Sequence, residues 1–325
     1  MKLKTKVVVT QPIHEKGMKL LVDSVEEVVV AKDSNIETIA GLLDEKAEGV
    51  IVRYNPFPRE LIEKAPNLKV IARHGIGTEL IDLEAATEHN IAVVNTPNAA
   101  TVSVAEHAVT LMLCLAKNIF YADSELRKGN YAVKDKYLSY ELEGKTVGIV
   151  GLGKIGMEVA KKCKYGFGMK VIGYDPYVNK EKAQEIGVEL FNNIDEVLES
   201  SDFVSLHLPL TESTKHIINE EKLRKMKKSA YLINCARGAI VDEKALIKAL
   251  QEGSIAGAGL DVFEKEPPEL DNPLFKMNNV IVTPHSSSLT EDGKIKMAVY
   301  AVEGLLQVLK GEKPTYLVNT DLYKK

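Results

Sequence analysis

Cysteine is scarce in this chain. Only three occur in 325 residues, Cys114, Cys163 and Cys235, far apart and odd in number. That argues against a disulfide framework and against a zinc site. No apolar run approaches the roughly 20 residues that a membrane-crossing helix needs, so no membrane partner is expected. No segment concentrates Lys and Arg either. KKCK (161–164) and KMKK (225–228) are short, mixed with apolar residues, and read as solvated helix faces. With a formal net charge of −4, the chain offers no basic face for a nucleic acid. Internal repeats and low-complexity tracts are absent too. The opening MKLKTKVVVT enters a strand without the apolar core or cleavage site of a secretion leader, which makes the cytoplasm the expected compartment.

What is present is an ordinary globular balance, 45% apolar and 27% charged, over a length that suits two domains. In the first hundred residues, apolar runs alternate with amphipathic stretches. The runs are KVVVT (6–10), EVVVA (27–31), GVIVR (49–53), KVIARH (69–74) and IAVVNT (91–96). Continuous Val and Ile suit strands covered on both faces, as in a parallel sheet. Alternation with helices is the doubly wound α/β pattern. From Thr101 to Asn130 the spacing turns helical without a proline, which predicts one long helix capped by Ser103 with Glu106 completing a capping box. Such a helix suits a bridge between lobes or a contact with a second subunit. From Lys145 seven further strands are expected, ending with NVIVTPH (279–285), before a final helix over 292–311.

Gly151, Gly153 and Gly156 form G-x-G-x-x-G between a strand, TVGIV, and an amphipathic helix. A second strand follows and ends in Asp175, about 20 residues beyond the last glycine. Each part has a task. Gly151 permits a tight turn, Gly153 lets backbone N–H groups approach a pyrophosphate, and Gly156 lets helix and strand pack closely. The helix N-terminus favours the phosphates. Asp175 would accept hydrogen bonds from ribose hydroxyls and repel a 2′-phosphate, so the expected cofactor is NAD. A strand–turn–helix without a ligand is the bland alternative, and this context makes it the weaker one.

Three more segments end strands in the second half: INCARGAIVDE with Arg237, GLDVFEKEPP with Asp261 and Glu266, and VTPHSSS with His285. Singly these are a surface ion pair, a loop charge and a turn. Together, at the carboxyl ends of parallel strands, they fall where ligands bind. A guanidinium matches a substrate carboxylate. An imidazole beside a carboxylate keeps a proton near neutral pH and delivers it to an oxygen that becomes an alkoxide. Hydride transfer to a 2-keto acid needs those three roles. His207 and His216 lack a third ligand at metal spacing, so no metal is expected. Cys235 reads as packing material, since no base adjoins it in sequence.

GLGKIG, GYDP, INCARGAIVDE, AGAGLDVFEKEP and TPH, in that order, resemble the D-isomer-specific 2-hydroxyacid dehydrogenase family over nearly the whole chain, and most closely its short phosphoglycerate dehydrogenase branch. The resemblance implies two doubly wound parallel-sheet α/β domains. A Rossmann NAD-binding domain (101–291) is inserted into a flavodoxin-like substrate domain (1–100 plus 292–325). It implies Arg237 on the substrate carboxylate, His285 as acid/base and Glu266 as its partner. Cofactor contacts are implied at Ile76, Gly151, Gly153, Lys154, Ile155, Gly156, Asp175, His207, Leu208, Pro209, Thr214, Cys235, Ala236, Arg237, Asp261, His285 and Ser287. The loop ARHGIGTELID (72–82) resembles the family's substrate loop, with Ile76 and Gly77 N–H groups on the carboxylate, and Arg53 and Arg73 stand where phosphoglycerate dehydrogenases carry basic residues. The implied partners are a small 2-hydroxy or 2-keto acid and a second copy in a homodimer. 3-Phosphoglycerate is the leading substrate, and reduction of glyoxylate or hydroxypyruvate is the alternative. An NADH-sensing corepressor-like protein is the alternative of another class. The chain departs from the family at Glu79-Leu80, where Asp-Asn is usual, and at Ala100, where Asn is common. Glu266 sets it apart from the formate dehydrogenase branch, where glutamine is typical.

Overall fold

A computed structural model of the protein describes residues 2–323. The chain forms two compact units. The first is built from the chain up to Ala100 together with the segment from Leu289 onward, and the second is Thr101–Ser288. The helix Glu291–Leu309 and its cap Thr290, whose hydroxyl accepts from the Gly293 N–H at 3.0 Å, belong to the first unit.

In the first unit β1 (Leu3–Val9), β2 (Val25–Val30), β3 (Ala47–Val52), β4 (Val70–Arg73) and β5 (Ala92–Val94) form one sheet in the order β2-β1-β3-β4-β5. All pairings are parallel. This is the flavodoxin-like order. The valine runs are continuous because both faces are covered. Val7, Val9, Ile51 and Ala72 pack with Ala298, Ala301 and Leu305 of the C-terminal helix. Val8, Val50, Val52 and Ile71 face Ile39, Leu61 and Ala85 on the other side.

The second unit contains β6 (Thr146–Val150), β7 (Lys170–Tyr174), β8 (Glu189–Leu190), β9 (Phe203–Leu206), β10 (Tyr231–Asn234), β11 (Gly257–Leu260) and β12 (Val280–Val282). The order is β12-β11-β10-β9-β6-β7-β8, again parallel throughout. The chain reverses its direction of growth between β6 and β9, the switch point where Rossmann sheets bind ligands.

The helical stretch after Thr101 differs from expectation. It is two helices, Thr101–Ala116 and Ile119–Arg127, bent by 59°. Asn118 at the break is left-handed, φ 52°. The cause lies elsewhere in the chain. Tyr140 N–H donates to Ala116 O at 2.8 Å, and the Ser139 hydroxyl donates to Lys117 O at 3.1 Å. Segment 138–140 thus satisfies carbonyls that a continuing helix would have used. Nor does Ser103 cap: the helix begins at Thr101, and Ser103 is buried within it. Among the described residues no single helix is long and apolar enough to cross a membrane.

Candidate active site

The glycine turn after β6 is held by close approach. Gly151 has φ +95°, and a Cβ there would stand 2.7 Å from the His207 carbonyl. At Gly156 a Cβ would come 2.0 Å from Gly151 O, so the helix Lys154–Lys161 sits directly on the turn. Gly153 is different. It is exposed, caps that helix, and its missing Cβ would meet nothing within 4 Å. The space above the helix N-terminus, beside the first helical residues Lys154 and Ile155, is therefore open. That is the opening a pyrophosphate needs, so these residues fit a dinucleotide. The Asp175 carboxylate, just past β7, accepts from Leu152 N–H and Tyr177 N–H, both at 2.8 Å. It braces the turn.

At the next strand end, His207 N–H donates to Val150 O at 2.8 Å, and its Nε2 meets Ser205 Oγ at 2.9 Å. Burial pulls its pKa down to about 4, so the ring is neutral at physiological pH. Leu208 packs partly on the core, and the Thr214 hydroxyl donates to Pro209 O at 2.6 Å, closing the turn that follows.

The other strand ends bring the reactive groups together. His285 Nδ1 lies 2.7 Å from Glu266 Oε2. Glu266 Oε1 accepts from Phe263 N–H at 3.1 Å, which fixes the carboxylate. The Glu266 hydrogen bond raises the His285 pKa against a smaller opposing effect of burial. Burial pushes the Glu266 carboxyl up, but the His285 bond, the Phe263 N–H and the nearby charges outweigh it and the net shift is downward. Both shifts favour an ion pair. Arg237 is close enough to act electrostatically on both groups, and its Nη1 donates to Ala236 O at 2.8 Å. Its turn is pressed against the glutamate's loop: a Cβ at Gly238 would fall 1.9 Å from the Phe263 carbonyl. Imidazole, carboxylate and guanidinium thus share one corner of the second unit. A cavity of about 390 Å³ adjoins the imidazole and the carboxylate, walled also by Phe263, Pro267, Pro268, Phe275, Val282, Thr283 and Pro284.

Asp261 is completely buried, and its carboxylate is filled by protein donors: the Thr283 hydroxyl at 2.6 Å, Ser286 N–H at 2.8 Å and Ser287 N–H at 2.9 Å. Cys235 is buried, and burial together with Asp261 pushes its thiol well up, which keeps it protonated and inert. His107, whose Nε2 lies 3.0 Å from the Thr283 hydroxyl, belongs to no motif, and Thr283 heads TPH, which points to its histidine alone. The sequence offered only Thr283's place beside Pro284 and His285 as a signal.

In the first unit, Gly75, Ile76 and Gly77 form a loop after β4. Asn95 Nδ2 donates to Ile76 O at 2.9 Å, and Arg73 Nε donates to Gly77 O at 2.8 Å. Among the described residues the Ile76 and Gly77 N–H groups have no acceptor. Arg73 also donates through Nη1 to His74 O at 2.7 Å, so it serves as the loop's internal brace. Arg53 donates through Nη1 to Pro12 O at 2.8 Å and lies 4.8 Å from the centre of the Tyr54 ring, while its buried Nε has no partner. His74, not anticipated from the sequence, is buried with an unpartnered Nε2. Burial and then the Arg53 charge lower its pKa to about 4.

A flavodoxin-like and a Rossmann unit, with a glycine cradle and a His–Glu pair at the strand ends of the latter, define a two-domain dinucleotide-dependent protein. Residues 109–287 match the family described as "D-isomer specific 2-hydroxyacid dehydrogenase, NAD binding domain", and the chain belongs to that family. It is 46% identical over 314 residues to a D-3-phosphoglycerate dehydrogenase of Methanocaldococcus jannaschii, covering 97% of this chain and 59% of that protein. The chain thus spans under two thirds of that relative's length. A glyoxylate reductase of Thermococcus litoralis is 43% identical, covering 98% of both. A crystal structure of a glyoxylate reductase from Paecilomyes thermophila superposes with a TM-score of 0.87 at 30% identity, covering 97% of this chain and 98% of that one.

Proposed function

We propose that the protein is an NAD-linked reductase of small 2-keto acids. The observation that carries this reading is the 2.7 Å His285–Glu266 pair, set beside Arg237 in the unit that holds the glycine cradle. Arg237 binds the substrate carboxylate. His285 donates its proton to the carbonyl oxygen as that oxygen gains charge, and takes it back in the oxidative direction. Glu266 holds the imidazolium through Nδ1, which leaves Nε2 for the substrate. Gly151, Gly153, Gly156 and Asp175 hold the dinucleotide. When bound, that group supplies or accepts the hydride. The Asp175 carboxylate favours NAD by repelling a 2′-phosphate.

For the substrate, the first reading is the 3-phosphoglycerate/3-phosphohydroxypyruvate pair. It is supported by relatives so named and by Arg53, whose buried Nε has no partner. Arg73 favours a second reading, glyoxylate or hydroxypyruvate. Its Nε and Nη1 are taken up by Gly77 O and His74 O, and relatives named glyoxylate reductase match over nearly their whole length. A comparison of kcat/KM for phosphohydroxypyruvate, hydroxypyruvate and glyoxylate decides between them. The first reading expects the phosphorylated acid to lead by about tenfold or more and Arg53→Ala to erase that lead. The second expects glyoxylate or hydroxypyruvate to lead and Arg53→Ala to change little. Tight NADH binding without turnover of any keto acid would instead mark a sensor.

A further inference from the structure

The backbone of His285 is itself unusual. It is left-handed, with φ 50°, in a residue that carries a side chain. Its N–H donates to Asp261 O at 2.8 Å and to Thr283 O at 3.0 Å. The next two N–H groups, of Ser286 and Ser287, end on the Asp261 carboxylate. Asp261 therefore grips the loop through both its carbonyl and its side chain. Asp261 is held in turn by its own N–H, which donates to Asn234 O at 2.9 Å, and at its carboxylate by the Thr283 hydroxyl, at 2.6 Å. A hydroxyl has one proton, and a carboxylate can only accept. Thr283 must give that proton to Asp261, so toward His107, 3.0 Å away, it is an acceptor. His107 then carries its proton on Nε2. The helix bearing His107 is anchored in the core by Val104, Ala105, Ala108 and Leu111.

We propose that His107, Thr283 and Asp261 form a positioning chain that transmits the rigidity of this helix to the His285 loop and holds the imidazole in its proton-transferring pose. The inference rests on the reading of His285 as the acid of a 2-keto-acid reductase. Neither His107 nor Thr283 is assigned to the reacting atoms. Both act through the loop, and a misplacement of the imidazole by about 1 Å costs on the order of a hundredfold in rate.

The test compares wild type with Thr283→Val, Thr283→Ser, His107→Ala and His107→Gln, using NADH with glyoxylate or hydroxypyruvate. Thr283→Val keeps the shape and removes the hydroxyl. It is expected to lower kcat by about ten- to a hundredfold while KM and NADH affinity stay within about twofold. Thr283→Ser, which keeps the hydroxyl, recovers most of the rate. His107→Ala lowers kcat by roughly three- to tenfold, and His107→Gln, whose amide nitrogen takes the place of Nε2, recovers part of the loss. Equal kcat in wild type and Thr283→Val overturns the proposal, as does a loss that Thr283→Ser fails to recover. If Thr283→Val does not fold, the His107 pair decides on the same criteria. If wild type reduces no 2-keto acid, the functional reading fails, and the chain is judged by the NMR titration of His285. A midpoint lowered in Thr283→Val but not in Thr283→Ser supports the chain, and an unchanged midpoint overturns it.

Discussion

In the proposed reaction the proton chemistry is set by one pair. Glu266 raises the His285 pKa above its ordinary 6.5, and His285 helps lower that of Glu266 below 4.5. The sign follows from which form works. Reduction needs the imidazolium, so its kcat/KM is expected to stay level through pH 6.5 and fall only as pH passes the raised value. Oxidation needs the neutral ring and shows the mirror image. Glu266→Gln keeps a hydrogen-bonding group and removes the charge. It is expected to move the reductive fall to lower pH, which a pH profile of kcat/KM checks. Stability follows the same linkage. The pair's contribution is present between about pH 4.5 and 6.5, is lost as pH rises through the His285 value, and is lost again as pH falls through that of Glu266. Both side chains are partly exposed, 47% and 37%, so solvent screening keeps the contribution small. Asp175 braces the glycine turn and is proposed to meet the ribose as well. Asp175→Ala is expected to narrow the kcat/KM preference for NAD over NADP and, by unpairing Leu152 N–H and Tyr177 N–H, to lower Tm by a few degrees. An unmoved cofactor ratio would remove Asp175 from the ribose.

At the scale of the element, the glycine turn separates folding from binding. Gly156→Ala places a methyl 2.0 Å from Gly151 O, backbone that cannot yield cheaply. It is expected to cost about 1–3 kcal/mol of stability, read as a lowered Tm. Gly153→Ala meets no atom of the protein. It is expected to leave Tm unchanged and to weaken NADH binding, read by fluorescence titration. Equal effects of the two would contradict the cradle. The strands, their parallel character and the fingerprint were legible because hydrophobic period and turn chemistry are local properties. His285, Glu266 and Arg237 were legible because each follows an apolar run, and a parallel sheet gathers such ends. The break at Asn118 was not legible, because the groups that end the helix come from Ser139 and Tyr140. The same holds for His107 and Thr283, 176 residues apart. Asp261 stood out as a strand-end acid, but only the fold shows that its carboxylate is taken up by its own loop.

At the scale of the molecule, the second unit carries exposed apolar side chains on the short helix after the break. Ile119, Phe120 and Leu126 are 51%, 58% and 56% exposed. Exposed apolar side chains of this kind are where a second copy would pack, if one binds. Should the wild type sediment as a dimer, Phe120→Glu with Leu126→Glu is expected to shift it to monomer, and a variant still dimeric at micromolar concentration would exclude this helix from the contact. The fold gathers Arg237, Glu266 and His285 in one corner of the second unit, and the proposal that they serve one reacting carbon has a direct test. A single turnover of enzyme-bound NADH with a 2-keto acid, followed at 340 nm, compares wild type with His285→Ala. The expected result is a loss of about a thousandfold in rate with NADH affinity unchanged. A variant that transfers hydride at the wild-type rate would contradict it.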